Sequence, residues 1–192
     1  MEQLLTYAYN ADKKLVSIED VLSGLDCNCY CPSCNGRLIA RKGSVKVHHF
    51  AHYQCPECAT GYQTSIHLLA KEIISERKYF YLDHFGNELK IKPSKILLEK
   101  KTGDIIPDIL IYCGSRLLII EIYVTHKVDV YKLDKIRKMK TSAIEIDLHD
   151  LVGNINKENL WTEINKPERQ KWLYNDKDEA RIENKAKYVT VN

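Results

Sequence analysis

Two neighbouring runs limit most sharply what this chain can fold into. Ile105-Ile106-Pro107-Asp108-Ile109-Leu110-Ile111 is joined through a Gly-Ser step to Arg116-Leu117-Leu118-Ile119-Ile120-Glu121-Ile122-Tyr123-Val124-Thr125-His126. Runs apolar on both faces predict strands covered on both sides, the pattern of a sheet packed by helices. Each run carries one carboxylate. The two-residue strand period places Asp108 on the face of Ile106 and Leu110, and Glu121 on the face of Ile119 and Tyr123.

Burying an unpartnered carboxylate costs on the order of several kcal/mol, and two carboxylates brought together raise each other's pKa. A divalent cation removes both penalties. Magnesium favours carboxylates, waters and a phosphate oxygen as ligands. Asp108 and Glu121 are therefore the expected ligands of Mg²⁺ or Mn²⁺.

A second block spans residues 27 to 62. Cys31-Pro32-Ser33-Cys34 precedes Asn35-Gly36, and Cys55-Pro56-Glu57-Cys58 precedes Gly61. Between them, Arg37 to Arg41 and Val45 to Phe50 predict hairpin strands around Lys42-Gly43-Ser44. Two CxxC knuckles flanking a hairpin describe a zinc ribbon. Cys31, Cys34, Cys55 and Cys58 would supply four thiolates to one structural Zn²⁺. His48, His49 and His52 lie between the knuckles and any of them could bind metal, although packing against the next helix is the commoner fate of such a residue. Cys27 and Cys29 form a CxC pair, and one of them could replace a ligand. Seven cysteines, four of them in CxxC pairs, point to metal in a reducing compartment, hence the cytoplasm.

The clearest helix is Thr64 to Arg77, with Thr64 or Ser65 as cap and Ile66, Leu69, Ala70 and Ile73 as its apolar stripe. His67 and Lys71 are four apart and share a face beside that stripe. They are expected to reach the central carboxylates, the alternative being a solvated pair. Lys127 to Lys140 predicts a second helix, with Leu133, Ile136 and Met139 buried and Lys132, Lys135, Arg137, Lys138 and Lys140 on a basic outer face. Ala143 to Leu148 predicts a further strand. A short strand at Leu4 to Tyr9 and a Ser17-capped turn precede the ribbon. Strands near Tyr79 to Leu82 and Leu89 to Ile91 follow the first helix. Lys95 to Lys100 is ambiguous. Glu158 to Ile164 predicts a helical turn, Lys171 to Asn175 is an aromatic packing or contact segment, and the charged stretch 176–187 is expected to be helical.

Net charge is +3, from 29 basic and 26 acidic residues, too slight to decide on a nucleic-acid partner. No run approaches about 18 apolar residues, so no membrane span is expected. The start of the chain lacks the pattern of a signal peptide. Walker, dinucleotide and nucleophile-elbow motifs are absent.

The order helix, strand, strand with Pro107-Asp108, strand with Glu121, helix, strand resembles the nuclease core of the PD-(D/E)xK superfamily. Within it, the chain resembles the competence protein CoiA-like family. That resemblance rests on the CxxC ribbon, His49-Phe50-Ala51-His52, Ser65-Ile66-His67 with Lys71, Pro107-Asp108, and Glu121-Ile122-Tyr123, and it covers roughly residues 25 to 148.

It implies an α/β (α+β mixed) fold, a restriction-endonuclease-like core with an N-terminal zinc ribbon. It also implies a metal-dependent deoxyribonuclease with Asp108, Glu121, Lys71, His67 and Tyr123 as catalytic candidates. Tyr123 stands where the superfamily pattern has lysine, so Lys71, Lys127 and Lys132 are candidates for that role.

The expected segments are 1–26, an N-terminal strand and helix; 27–62, the ribbon; 63–150, the nuclease-like core; and 151–192, a C-terminal extension. The expected partner is DNA, with a second copy or another protein chain as a further one. The rival expectation is a catalytically inactive zinc-containing DNA-binding or complex-forming subunit, its ribbon gripping phosphates through Arg37, Arg41, Lys42 and Lys46.

Overall fold

The computed structural model describes residues 3–77, 79–84 and 86–178. The expected helix over 176–187 lies outside them except for its first turn. In chain order the strands are β1 Tyr7–Tyr9, β2 Leu15–Ser17, β3 Leu38–Arg41, β4 His49–His52, β5 Phe80–His84, β6 Asn87–Ile91, β7 Lys95–Leu98, β8 Ile109–Cys113, β9 Arg116–Tyr123, β10 Ser142–Asp147 and β11 Gln170–Tyr174. The α-helices are α1 Gly61–Glu76, α2 Val130–Lys138 and α3 Lys157–Ile164. The chain divides into two compact units, Met1–Glu76 with Leu148–Ile164, and Arg77–Asp147 with Asn165–Asn192.

The first unit holds two small antiparallel pairs, β1 with β2 and β3 with β4. Its core gathers Leu5, Ala8, Ile18, Leu38, Ala40 and Phe50 with Cys27, Cys29 and Cys31. Cys27 and Cys29 are thus small apolar core residues, and burial pushes the Cys29 thiol up to about 12. The Ser17 cap forms, accepting from the Glu19 amide, but over a single 3₁₀ turn.

Helix α1 begins at Gly61, three residues before the expected cap. The turn after Cys58 runs straight into it, with the Gly61 amide donating to the Cys58 carbonyl, so Thr64 is already inside the helix and donates to Thr60. Its buried face is the expected Ile66, Leu69, Ala70 and Ile73, joined by Tyr62, Ile74 and Lys71.

The second unit is built on a five-stranded sheet of order β11-β10-β9-β8-β7. Only β9 and β10 are parallel. A parallel neighbour needs a crossover, and α2 provides it. Ile109, Leu110, Ile111, Ile119 and Ile120 are fully buried, as two-faced apolar runs predict. Gly114 makes the β8–β9 turn with φ of 62°, a left-handed conformation glycine adopts without strain. The ambiguous Lys95 to Lys100 segment proves to be mostly strand, because its neighbour β8 offers an open edge with which Lys95 to Leu98 pair. The β5–β6 hairpin is held by side-chain amides: Tyr81 donates its amide to Asn165 and Asp83 to Gln170, both at 2.9 Å.

One register relationship organises this unit. Leu110 pairs with Ile119, and Ile119 with Ala143, so three small or branched apolar side chains lie in a row on one face. Ile136 of α2 packs onto that row. Two residues along each strand, on the same face, stand Asp108, Glu121 and Glu145. An apolar row and an acidic row therefore run side by side under one helix.

Candidate functional site

The acidic row follows from pairing. Ile109 pairs with Ile120, and one further step sets Asp108 opposite Glu121, with side chains on one side of the sheet. Asp108 sits just outside β8, and its Oδ2 accepts the Ile122 amide at 2.8 Å. Glu145 pairs with Glu121 in the parallel register. Its Oε2 accepts the Val128 amide at 2.7 Å, which fixes the backbone leading into α2.

That helix is capped by Asp129, which accepts from the Lys132 amide. Lys132 and Ile136 are one turn apart and share a face. Lys132 therefore does not belong to the basic outer face where the sequence put it. Its Nζ lies 2.7 Å from Glu121 Oε2. The Glu121 side chain is 4% exposed and Lys132 26%.

Glu121 is pushed up to about 7, foremost by burial and further by the Asp108 charge, while the hydrogen bond and charge of Lys132 oppose the shift. Its second oxygen, Oε1, is buried with no hydrogen-bond partner among the described residues. A half-satisfied buried carboxylate beside a second carboxylate is a donor set that fits a divalent ion.

Tyr123 ends β9 half-buried, with the Lys127 ammonium 5.1 Å from its ring centroid. His67 and Lys71 lie on α1 in the first unit, Lys71 buried at 5% exposure. The carboxylates and Tyr123 belong to the second unit. Glu145 escaped the sequence reading because Ala143-Ile144-Glu145-Ile146 shows only a carboxylate in a strand. Its neighbour in space is 24 residues earlier, at Glu121.

The first unit carries a separate cluster. Ligand atoms of Cys31, Cys34, His52 and Cys58 all lie within 4.8 Å of one another. This group differs by one residue from the four thiols read in the sequence, with His52 in and Cys55 outside. Pairing of β3 with β4 explains it: Leu38 opposite His52 fixes the imidazole over the first knuckle, which no CxxC spacing reveals. His52 Nε2 approaches Cys34 Sγ at 3.3 Å, while Nδ1 donates to Glu57 Oε2 at 2.9 Å. A carboxylate on one ring nitrogen turns the other toward a metal and raises its basicity.

The knuckle has its expected hydrogen bonds, with the Asn35 amide donating to the Cys31 carbonyl and the Gly36 amide to Cys34 Sγ. A Cβ at Gly36 would lie 3.2 Å from Cys34 Sγ and from Cys55 Sγ, and one at Gly61 would lie 3.1 Å from Cys31 Sγ. Both glycines leave room the sulfurs occupy. Ser33 and Thr60 hydroxyls hold Cys58 down at about 6, whereas burial lifts Cys31 to about 11. A Cys₃His set so arranged can bind a metal ion such as zinc. Among the other histidines, His48 pairs with Glu19 at 2.9 Å and His49 contacts the Val47 carbonyl.

The first unit thus carries a Cys₃His group, on a hairpin followed by a helix, that could hold a metal ion. Residues 19–61, which include all four clustered ligands, match the family model described as Competence protein CoiA, N-terminal domain. Neither the curated proteins nor the solved structures contain a match to the chain. No helix among the described residues is long and apolar enough to cross a membrane.

Proposed function

We propose that the protein is a metal-dependent deoxyribonuclease of the PD-(D/E)xK type, with a zinc-binding N-terminal module and a role in handling DNA of the kind competence proteins encounter. The observation that carries this reading is the convergence of Asp108, Glu121 and Lys132 on one face of a mixed sheet, on consecutive strands and the crossover helix. The match of residues 19–61 to the CoiA N-terminal model supports it from the other unit.

In this reading Asp108 and Glu121 hold Mg²⁺ or Mn²⁺. The chemistry such an ion supplies is polarisation of the scissile phosphate and acidification of a water. Lys132 takes the part of the lysine missing at position 123. It is a fixed cation aimed at the carboxylates, placed to orient the attacking water and to stabilise charge on the phosphate as the P–O bond breaks. Its ion pair with Glu121 at 2.7 Å fixes the ammonium beside that carboxylate. Glu145 acts through Val128 by fixing the start of α2, and so is a positioning residue. Cys31, Cys34, His52 and Cys58 would hold a Zn²⁺ whose part is structural.

Cleavage of single- and double-stranded DNA with Mg²⁺ or Mn²⁺ tests the proposal. Activity is expected to fall to background in Asp108→Ala and Glu121→Ala, with unchanged circular dichroism. His67→Ala, Lys71→Ala and Tyr123→Phe, assayed alongside, measure what α1 and the end of β9 contribute. DNA binding without cleavage under either metal would assign the protein instead to the inactive, complex-forming class.

A further inference from the structure

The cluster in the first unit has a fifth sulfur or nitrogen donor beside it that the metal set does not use. Cys31, Cys34, His52 and Cys58 bring their ligand atoms within 4.8 Å of one another, and Cys55 stands outside that group. It does not stand far off. A Cβ at Gly36 would lie 3.2 Å from Cys34 Sγ and the same distance from Cys55 Sγ, with His52 Cδ2 at 3.3 Å. Glycine has no side chain to put there, so the two sulfurs border one small hollow that residue 36 leaves open.

Exposure separates these two cysteines from the other two ligands. Cys34 and Cys55 are exposed, whereas Cys31 is buried and Cys58 partly so. Cys55 belongs to an exposed run, Gln54 to Glu57, just past the end of β4. It takes no part in the core that gathers Cys27, Cys29 and Cys31. A residue on such a surface turn can shift toward Cys34 without disturbing buried packing. Four donors complete a structural zinc site, and a fifth thiol adds nothing to it. An accessible thiol poised next to a second one is the arrangement that oxidants convert to a disulfide.

We propose that Cys55 and Cys34 form a disulfide on exposure to hydrogen peroxide, and that this bond weakens zinc binding at the centre. The inference rests on the reading of the cluster as a structural zinc site. Cys55 reacts first, because its sulfur lone pairs are not shared with a metal. Its thiolate attacks peroxide, the O–O bond breaks, an S–O bond forms, and hydroxide leaves. Cys34 Sγ then attacks the sulfenic sulfur of Cys55. The S–S bond forms, the S–O bond breaks, and a second hydroxide departs. Two thiolates have lost two electrons in all, and peroxide has gained them. The centre is left with Cys31, His52 and Cys58, three donors in place of four. Metal content of the first unit would then follow the oxidant, and a dithiol reductant would restore the full set.

The test treats the zinc-loaded full-length protein with hydrogen peroxide. Released metal is read with a chromogenic zinc chelator, and disulfides are mapped by mass spectrometry of unreduced peptides. Zinc release together with a Cys34–Cys55 linked peptide is expected, and dithiothreitol with added zinc should reverse both. Cys55→Ser, which leaves the four donors in place, should release zinc at least about tenfold more slowly. Equal release from wild type and Cys55→Ser would overturn the proposal. So would a disulfide joining Cys34 to Cys31 or Cys58, or a Cys55 sulfinic acid in a protein that keeps its zinc. Reduced protein that takes up no zinc would overturn the metal reading itself, and the proposal with it. Zinc present before peroxide and retained after it would overturn the proposal alone.

Discussion

Lys132 Nζ donates to Glu121 Oε2 at 2.7 Å, across 11 residues of chain that include the whole turn from β9 into α2. A lysine supplied by the crossover helix thereby faces the glutamate of the central strand, where the residue two places on in that strand is a tyrosine. If Lys132 fills the catalytic lysine's role, Lys132→Met should lower cleavage by about 10²–10³-fold. Metal affinity should rise or stay level, because a competing cation has gone. Single-turnover cleavage at saturating Mg²⁺, with Mn²⁺ titration of the same variant, separates the two effects. Unaltered single-turnover rates would take the role away from Lys132.

The raised pKa of Glu121 makes stability depend on pH in a direction opposite to that of an ordinary paired carboxylate. Its folded value, about 7, lies above the ordinary 4.5. The protonated form is therefore favoured by folding, and the associated stability is complete below pH 4.5 and is lost as pH rises through 7. The ceiling on that loss is roughly 3 kcal/mol. In chelator, urea unfolding from pH 4.5 to 8 should show the wild type losing stability relative to Glu121→Gln. Adding Mg²⁺ at pH 8 should restore the wild type only. A difference between the two proteins that stays flat across this range would show that Glu121 is not perturbed.

Glu145 should matter through the backbone amide it holds. Glu145→Leu leaves the Val128 N–H without its acceptor and should cost about 1–3 kcal/mol, with slower cleavage because α2 and Lys132 lose their anchor. Glu145→Gln keeps a carbonyl oxygen at the same place and should recover most of both losses. Failure of glutamine to rescue would mean that the charge of Glu145 acts directly in the site.

At the Cys₃His centre, native mass spectrometry should find one zinc per chain. His52→Ala should lose it, while Cys55→Ser should keep it. Glu57→Gln should weaken affinity by about 10–100-fold by loosening the imidazole it orients. Gly61→Ala should weaken it too, since the added methyl would lie 3.1 Å from Cys31 Sγ, even though alanine is the better helix former. Retention of zinc by His52→Ala together with its loss from Cys55→Ser would restore the four-thiolate set.

The sequence by itself determined the pieces whose signal is local. The apolar period of Ile105 to Val124 was enough to predict two buried strands with a carboxylate each, because alternation and burial are written within a few residues of one another. The stripe of Ile66, Leu69, Ala70 and Ile73 specified α1, and the knuckle residues around Cys31 and Cys58 marked a candidate metal site.

What only the tertiary structure decided was which side chains share a point in space. His52 displaces Cys55 from the cluster because the β3–β4 register carries it there. Lys132 turns inward because the parallel β9–β10 pair requires a crossover helix, and that helix must set Ile136 on the apolar row. Glu145 joins Glu121 by the same parallel pairing. Strand pairing and helix packing act across tens of residues, and no spacing along the chain records which strands become neighbours.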